Sequence, residues 1–349
     1  MCNIAGYSGD KQAAPILLEM LRKQEPYDGD VCTGVATIHQ GKLYYKRIIG
    51  NVETFLKTFD VSELPGTIGI AHTRPSGMPG TIPMHPNINP NKTMALVTNG
   101  TTPPTKYCHM WDEAADLLEQ NGYTFEQRAA NPKGISPKFS SNGDTTSPAE
   151  MRVMLVDLYM KQGMTITQAL SKSGEDMYSD NATVMIHQDY PENIYVQRTN
   201  RPINVILEKG EMYLATTRYG FPAELESEPI MLPLLNACSV SKNGICITND
   251  SIQVEPVSEM TPYTYKEAYK RFEKLLKSEK GPFYFDDLEL AVGYKMQDLW
   301  PGNHTIIQHA RLVYDMLWQF DQEGRLQREM RVQDLPSGPR RRWYFSLKD

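Results

Sequence analysis

Apolar and polar positions alternate along this chain with two distinct periods. QAAPILLEMLRKQ, residues 12–24, repeats its apolar residues at helical spacing and predicts an early amphipathic helix. VCTGVATI and KLYYKRIIG flank His39-Gln40-Gly41 and predict a hairpin that turns at Gly41. TIGIAHTR and TMALVTNG are short β-rich runs ending in polar residues, so each reads as a buried strand with chemistry at its tip. The Pro/Gly/Asn-rich stretch between them, PSGMPGTIPMHPNINPN, reads as loop. Helical patterns follow at Trp111–Gln120 and Pro148–Met160, then the strand-like runs ATVMIHQ, NIYVQRT, INVILEKG and MYLATTR. Strands and helices come in blocks with tight hairpins, which predicts an α+β fold of antiparallel sheets covered by helices rather than a doubly wound sheet.

The texture changes near EPVSEMTPYTY, where Pro256 and Pro262 bracket a polar stretch. Beyond it come a helical pattern over Lys266–Ser278, then FDDLELAVGYKM, then NHTIIQHARLVYDMLWQFDQEG. In the last, Ile306, Ala310, Val313, Leu317 and Phe320 form one apolar stripe that Gly324 ends. LQREMRV and RRRWYFSL are strand candidates joined by the turn-rich QDLPSGP. Helices followed by a two-stranded wing predict a winged-helix-like module over 262–349, separate from a larger domain over 2–257.

Composition narrows the function classes. The 349 residues are 40% apolar, with 36 Lys and Arg against 42 Asp and Glu, a net charge of -6. That balance argues against a protein that binds nucleic acid over its whole surface, though a local basic patch stays open. No run approaches the roughly 20 apolar residues that span a bilayer, and no basic-then-apolar leader opens the chain, so a cytoplasmic location is expected. Cys2, Cys32, Cys108, Cys238 and Cys246 form no CxxC pair and no zinc-spaced cluster, so free thiols and no metal or cofactor are expected.

Cys2 stands apart because aminopeptidase removal of Met1 would make it the amino terminus. A free α-amino group (reference pKa near 7.7–8.0) and a thiol (near 8.5) on one residue can exchange a proton without a large shift in either. Such a thiolate could attack a carboxamide, provided that donors stabilise the oxyanion. Asn99-Gly100, ending TMALVTNG, offers a side-chain amide and a backbone N–H, although Asn-Gly is also simply a good turn.

MCNIAGYSG, GIAHTR, MHPN, ALVTNG and GDTTS stand in the order and approximate spacing of class II glutamine amidotransferase domains, which the chain resembles over residues 2–255. The resemblance implies a four-layer αββα N-terminal-nucleophile sandwich. It implies Cys2 as nucleophile with its own amine as base, and Asn99 and Gly100 as the oxyanion hole. Arg74 would pair with the glutamine α-carboxylate, Asp144 would receive the α-ammonium group, and His85 would line the pocket. The chain departs from the family's usual pattern at Asn3, at PYDGDVCTG (26–34), at a shortened PSGMPG (75–80) and at Thr98. These changes spare the chemistry and remodel the pocket rim.

The rest of the chain is too short for the double sugar-isomerase module that some family members carry, and it lacks a ribosyl-pyrophosphate signature. The expected partners are therefore glutamine and a separate ammonia-accepting protein, with homo-oligomerisation left open. On the proposed wing, Arg325, Arg328, Arg331 and Arg340–Arg342 interleave with Trp343 and Tyr344. Contact with a protein, or packing against the first domain, outweighs a plain solvated face there, and nucleic acid ranks last. Two other readings stay open: hydrolysis of another linear or γ-glutamyl amide, and a non-catalytic glutamine sensor.

Overall fold

Two antiparallel sheets face each other through a layer of aliphatic side chains. The computed structural model describes residues 2–74, 85–102, 104–126, 128–129, 145–278, 280–300, 306–335 and 338–348. The first sheet contains β1 (Asn3–Ser8), β2 (Cys32–His39), β3 (Lys42–Ile49), β4 (Ile68–Arg74), β11 (Asn204–Glu208), β12 (Glu211–Ala215) and β13 (Ile230–Met231), in the order β13-β11-β12-β1-β4-β2-β3. The second contains β5 (Asn87–Ile88), β6 (Met94–Thr102), β9 (Asp180–His187), β10 (Ile194–Arg198), β14 (Asn236–Ser241) and β15 (Gly244–Ser251), in the order β15-β14-β10-β9-β6-β5. A short ribbon, β7 (Arg128–Ala129) with β8 (Thr145–Thr146), stands apart.

Period-two alternation decides which residues meet between the sheets. Ile4, Ile70, Ala36, Val97, Val184, Val196 and Leu214 all point inward and share one buried cluster. The intervening residues point outward. On the first sheet Ala5, Tyr7, Ala71 and Tyr213 pack under α1 (Ala13–Gln24) and α2 (Val52–Thr58). On the second, Leu96, Met185 and Tyr195 pack under α3 (Cys108–Gln120), α4 (Pro148–Lys161) and α5 (Ile166–Asp176). The result is four layers, helix–sheet–sheet–helix. Helix α4 is buried over every residue from Ala149 to Tyr159, as befits a helix enclosed on all sides. The hairpin at Gly41 forms as expected, with Gln40 and Gly41 both at positive φ (49° and 68°).

Residues 262–348 build three helices, α6 (Pro262–Leu276), α7 (Phe285–Lys295) and α8 (His309–Gln322), over a sheet of β16 (Phe283–Tyr284), β17 (Leu326–Leu335) and β18 (Gly338–Leu347) in the order β16-β18-β17. Helix α6 begins four residues before the expected Lys266, because Thr261 caps it through Thr264 and Pro262 fits its first turn. Ile306 lies outside α8 and is buried instead with Tyr178, Ile252 and Val257. Strands β17 and β18 are longer than their sequence cores, pairing out to Leu335 and Gly338.

The segment linking α1 to β2 is held by this C-terminal part. Tyr27 joins its core and stacks on Tyr219, with ring centroids 4.6 Å apart. Trp343 N–H donates to Pro26 O at 2.8 Å, and Tyr284 O–H donates to Asp28 Oδ1 at 2.7 Å. Arg342, 1% exposed, donates to Asp30 Oδ1 at 2.7 Å. Arg342 is thus engaged in a buried ion pair inside the chain. Arg342→Met leaves Asp30 without its nearest cation and is expected to cost about 3–5 kcal/mol in urea unfolding, a loss that Asp30→Asn in the same chain partly restores. Wild-type stability in the single variant would contradict this.

Candidate active site

At one end of the molecule the inward-facing positions stop being apolar. Counting in twos from Ile4 puts Cys2 on the inner face of β1. The same count from Ile70 puts His72 and Arg74 there, and from Val97 it puts Asn99 there. Register then fixes the neighbours. Asn3 pairs with Thr73, which aligns Cys2 beside Arg74, and Arg74 pairs on its other side with Cys32.

The two sheets are joined here by one side chain. Thr216, just past β12 and wholly buried, accepts the Ile4 N–H at 2.8 Å on Oγ1. The same oxygen accepts Asn99 Nδ2 at 2.8 Å, so the first sheet holds the tip of β6 in the second. The Thr216 backbone is itself fixed, its N–H on Ile4 O at 3.2 Å and its carbonyl accepting from Asn204 Nδ2 at 3.0 Å.

The Asn99-Gly100 tip is a bulge. Asn99 opposes Ala182, yet Thr102 already opposes Asp180, so β6 carries one residue more than β9 over this stretch. Gly100 absorbs it at φ 70°, and a Cβ there would stand 2.2 Å from Asp180 O. Only glycine fits, for both reasons. The sequence could not separate an ordinary Asn-Gly turn from this constrained one.

Sequence reasoning passed over His72 and Thr216. His72 is 1% exposed, and its Nε2 donates to Thr98 O at 3.1 Å, a second tie between the sheets. The His85 ring lies against it, tilted by 32° with centroids 4.0 Å apart, and accepts the Thr98 N–H on Nδ1 at 3.4 Å. Burial pulls His72 down to about 3, the Arg74 charge adds to this, and the Thr98 carbonyl and Asn99 side chain oppose it. Burial likewise pulls His85 well below the usual imidazole range, with His72, Arg74 and Arg47 adding to the effect. Both rings are therefore neutral near pH 7, and the arginines supply the positive potential. A polar residue recurring on the apolar face of IGIAHTR was the available signal for His72. Thr216, in ATT, gave none.

Cys2 is half-buried, and Cys32 is buried close by. Burial pushes the Cys32 thiol up to about 11, against the pull of Arg74 and Arg340, and Cys2 pushes it further. Cys32 thus stays a protonated thiol and does not compete as a nucleophile. Asn3 points to the opposite face from Cys2, with Nδ2 on Thr73 Oγ1 at 3.3 Å and on the Asp28 carbonyl. Its extra bulk stabilises the 26–34 segment rather than filling the pocket. Cys2, Arg74, Asn99 and Gly100 are thus gathered at one end, with His85 in the layer behind. Asp144 and the 75–80 loop lie outside the described residues.

The pH dependence follows from His72. Its folded pKa lies below the unfolded value, so the unfolded chain binds the proton first. The associated stability is present above pH 6.5 and lost as pH falls from 6.5 towards 3. The unfolding free energy from urea titrations should drop across that window, by at most about 1.4 kcal/mol per pH unit for this group, and His72→Gln should flatten the slope. An identical slope in the variant would contradict the assignment.

No protein-family model matches the chain. It is 28% identical over 225 residues to glutamine–fructose-6-phosphate aminotransferase (isomerizing) of Pyrococcus horikoshii, covering 64% of this chain and 33% of that protein. It is 31% identical over 218 residues to the enzyme of the same name from Caldanaerobacter subterraneus, covering 62% and 31%. The chain thus spans about a third of the length of these curated relatives. In fold it is similar to glutamine phosphoribosylpyrophosphate amidotransferase from B. subtilis, at a TM-score of 0.58 and 14% identity, over 78% of this chain and 58% of that one. The sequence matches, with the shared fold beside them, support a class II glutamine amidotransferase domain in this chain.

Proposed function

We propose that this protein is a glutaminase of the amidotransferase type, with Cys2 as nucleophile once Met1 is removed. The observation that carries this reading is the Thr216 hydroxyl, which fixes the start of β1 and the Asn99 side chain to one point. The Cys2 amine takes the thiol proton, and the sulfur attacks the carboxamide carbon of glutamine. The tetrahedral oxyanion is met by Asn99 Nδ2 and the Gly100 N–H. A half-turn of the Asn99 amide supports this role. Oδ1, which lacks a partner as placed, would then accept the Thr216 hydroxyl proton and leave Nδ2 with its donors unspent. Collapse of the adduct sends the proton to the departing ammonia and leaves a thioester, which water hydrolyses to glutamate and free Cys2.

Arg74 takes the α-carboxylate by a bidentate contact, which suits its place among two neutral imidazoles and Cys32. Asp144, by its place in GDTTS, takes the α-ammonium group, and His85 backs the pocket. We assign residues 2–257 to this domain and 262–349 to a winged-helix module. The order helix–strand–helix–helix–strand–strand, with the first strand beside the last, supports the second assignment. Arg342 is engaged by Asp30, Arg325 by Glu273, and Arg328 by Asp321. That internal use supports a module that supports the glutaminase site and docks a separate ammonia-accepting protein, rather than one that binds nucleic acid.

Purified protein with a verified Cys2 terminus should release ammonia and glutamate from glutamine. Cys2→Ala should abolish this, and Asn99→Ala should lower kcat by roughly 10²–10³. A verified Cys2 terminus without turnover would overturn the reading.

A further inference from the structure

Behind Gly100 lies a charged cluster that the glutaminase chemistry does not use. Arg201, its side chain 12% exposed, follows β10. Its guanidinium forks onto Asp180, Nε to Oδ1 at 2.7 Å and Nη2 to Oδ2, while Nη1 donates to Glu289 Oε1. Asp180 opens β9, and its backbone carbonyl is the atom a Cβ at Gly100 would strike. Arg201 Nε would lie 3.1 Å from that same Cβ. Glu289 belongs to α7, and His309, opening α8, brings Nε2 to within 3.0 Å of Glu289 Oε1. The other ring nitrogen, Nδ1, faces Ile307 O at 3.1 Å. Both ring nitrogens of His309 thus lie within hydrogen-bond reach of an oxygen.

The electrostatics are consistent with a permanent lock. Burial opposes the Arg201 charge, but Asp180 and Glu289 outweigh it and hold its pKa above the ordinary value. Burial also opposes the Glu289 charge, and Arg201 and His309 outweigh it to hold that carboxyl below the usual range.

We infer that Arg201 is a positioning residue for the oxyanion-hole bulge, and that α7 and α8 complete its setting through Glu289 and His309. The bulge at Asn99–Thr102 rests on the Asp180 carbonyl, so the direction of the Gly100 N–H depends on where Asp180 sits. Asp180 is fixed at both carboxylate oxygens by a planar fork, and Glu289 holds the far side of that fork. A displacement of about 1 Å at such a donor can cost about 10²-fold in rate. What the bulge does chemically rests on the glutaminase reading; the contact itself does not.

The test is Glu289→Gln, which keeps shape and removes the charge. Hydrogen–deuterium exchange over residues 97–102 should speed up, while α4 stays protected. In turnover, kcat for glutamine should fall by about tenfold or more. KM and the rate of Cys2 alkylation by iodoacetamide should stay within about twofold, because neither uses the oxyanion hole. Arg201→Lys, which keeps the charge but not the fork, should behave like Glu289→Gln. Unchanged exchange over 97–102, a joint loss of kcat, KM and alkylation, or wild-type behaviour of Arg201→Lys would each overturn the inference. A wild type that does not hydrolyse glutamine would overturn the functional reading alone, since the exchange measurement still decides the contact.

Discussion

The hydroxyl of Thr216 binds the beginning of the chain to the tip of a strand in the opposite sheet, and the candidate chemistry is arranged around that contact. Two sheets that share an aliphatic interior have no intrinsic reason to hold their ends in register, since apolar packing is non-directional. Hydrogen bonds are directional, and an unsatisfied buried partner costs about 1–3 kcal/mol. Thr216 to Ile4 and Asn99, and His72 to the Thr98 carbonyl, therefore set the spacing between β1 and β6 where the inner face turns polar. Four inward positions, Cys2, His72, Arg74 and Asn99, each continue an aliphatic row by one or two steps. The site is the place where that alternation is kept and its chemistry changed.

Charge is distributed with the same economy. Positive potential near Cys2 comes from arginines, because burial keeps His72 and His85 neutral. The neighbouring thiol, Cys32, is kept protonated by burial. In the C-terminal part Arg342 is turned inward onto Asp30, while Arg325 and Arg328 pair with Glu273 and Asp321 nearer the surface. Two of the contacts it makes with the rest of the chain reach residues next to the site. One is the 26–30 segment, which is tied to Asn3; the other is the Arg201 cluster behind Gly100.

Most of the architecture was legible in the sequence because it rests on local periodicity. The early helix, the Gly41 hairpin, and the strands ending at Arg74 and Gly100 follow from alternation and turn chemistry. Ile306 misled because it continues the helical stripe of α8 while the chain there packs elsewhere. Helices α2 and α5 and strands β13–β15 went unread; α2 and β13 are short, whereas α5 carries a legible stripe of Ile166, Ala169 and Leu170. For the site, Cys2, Asn99, Gly100 and Arg74 were found through motifs. Thr216 and His72 were not, because their roles arise from contacts across sheets, and Arg201 was not, because its partners lie on the neighbouring strand β9 and on α7. Asn3 counts in the sequence among the changes that remodel the pocket rim; pleating turns it to the other face.

Peptide-level mass analysis after exposure to a diazoketone analogue of glutamine tests the central claim most directly. One equivalent of label should reside on Cys2, in a peptide that begins with that residue, and excess glutamine should slow its appearance. Label on Cys32 or any other cysteine, or none on a chain that begins at Cys2, would contradict the account.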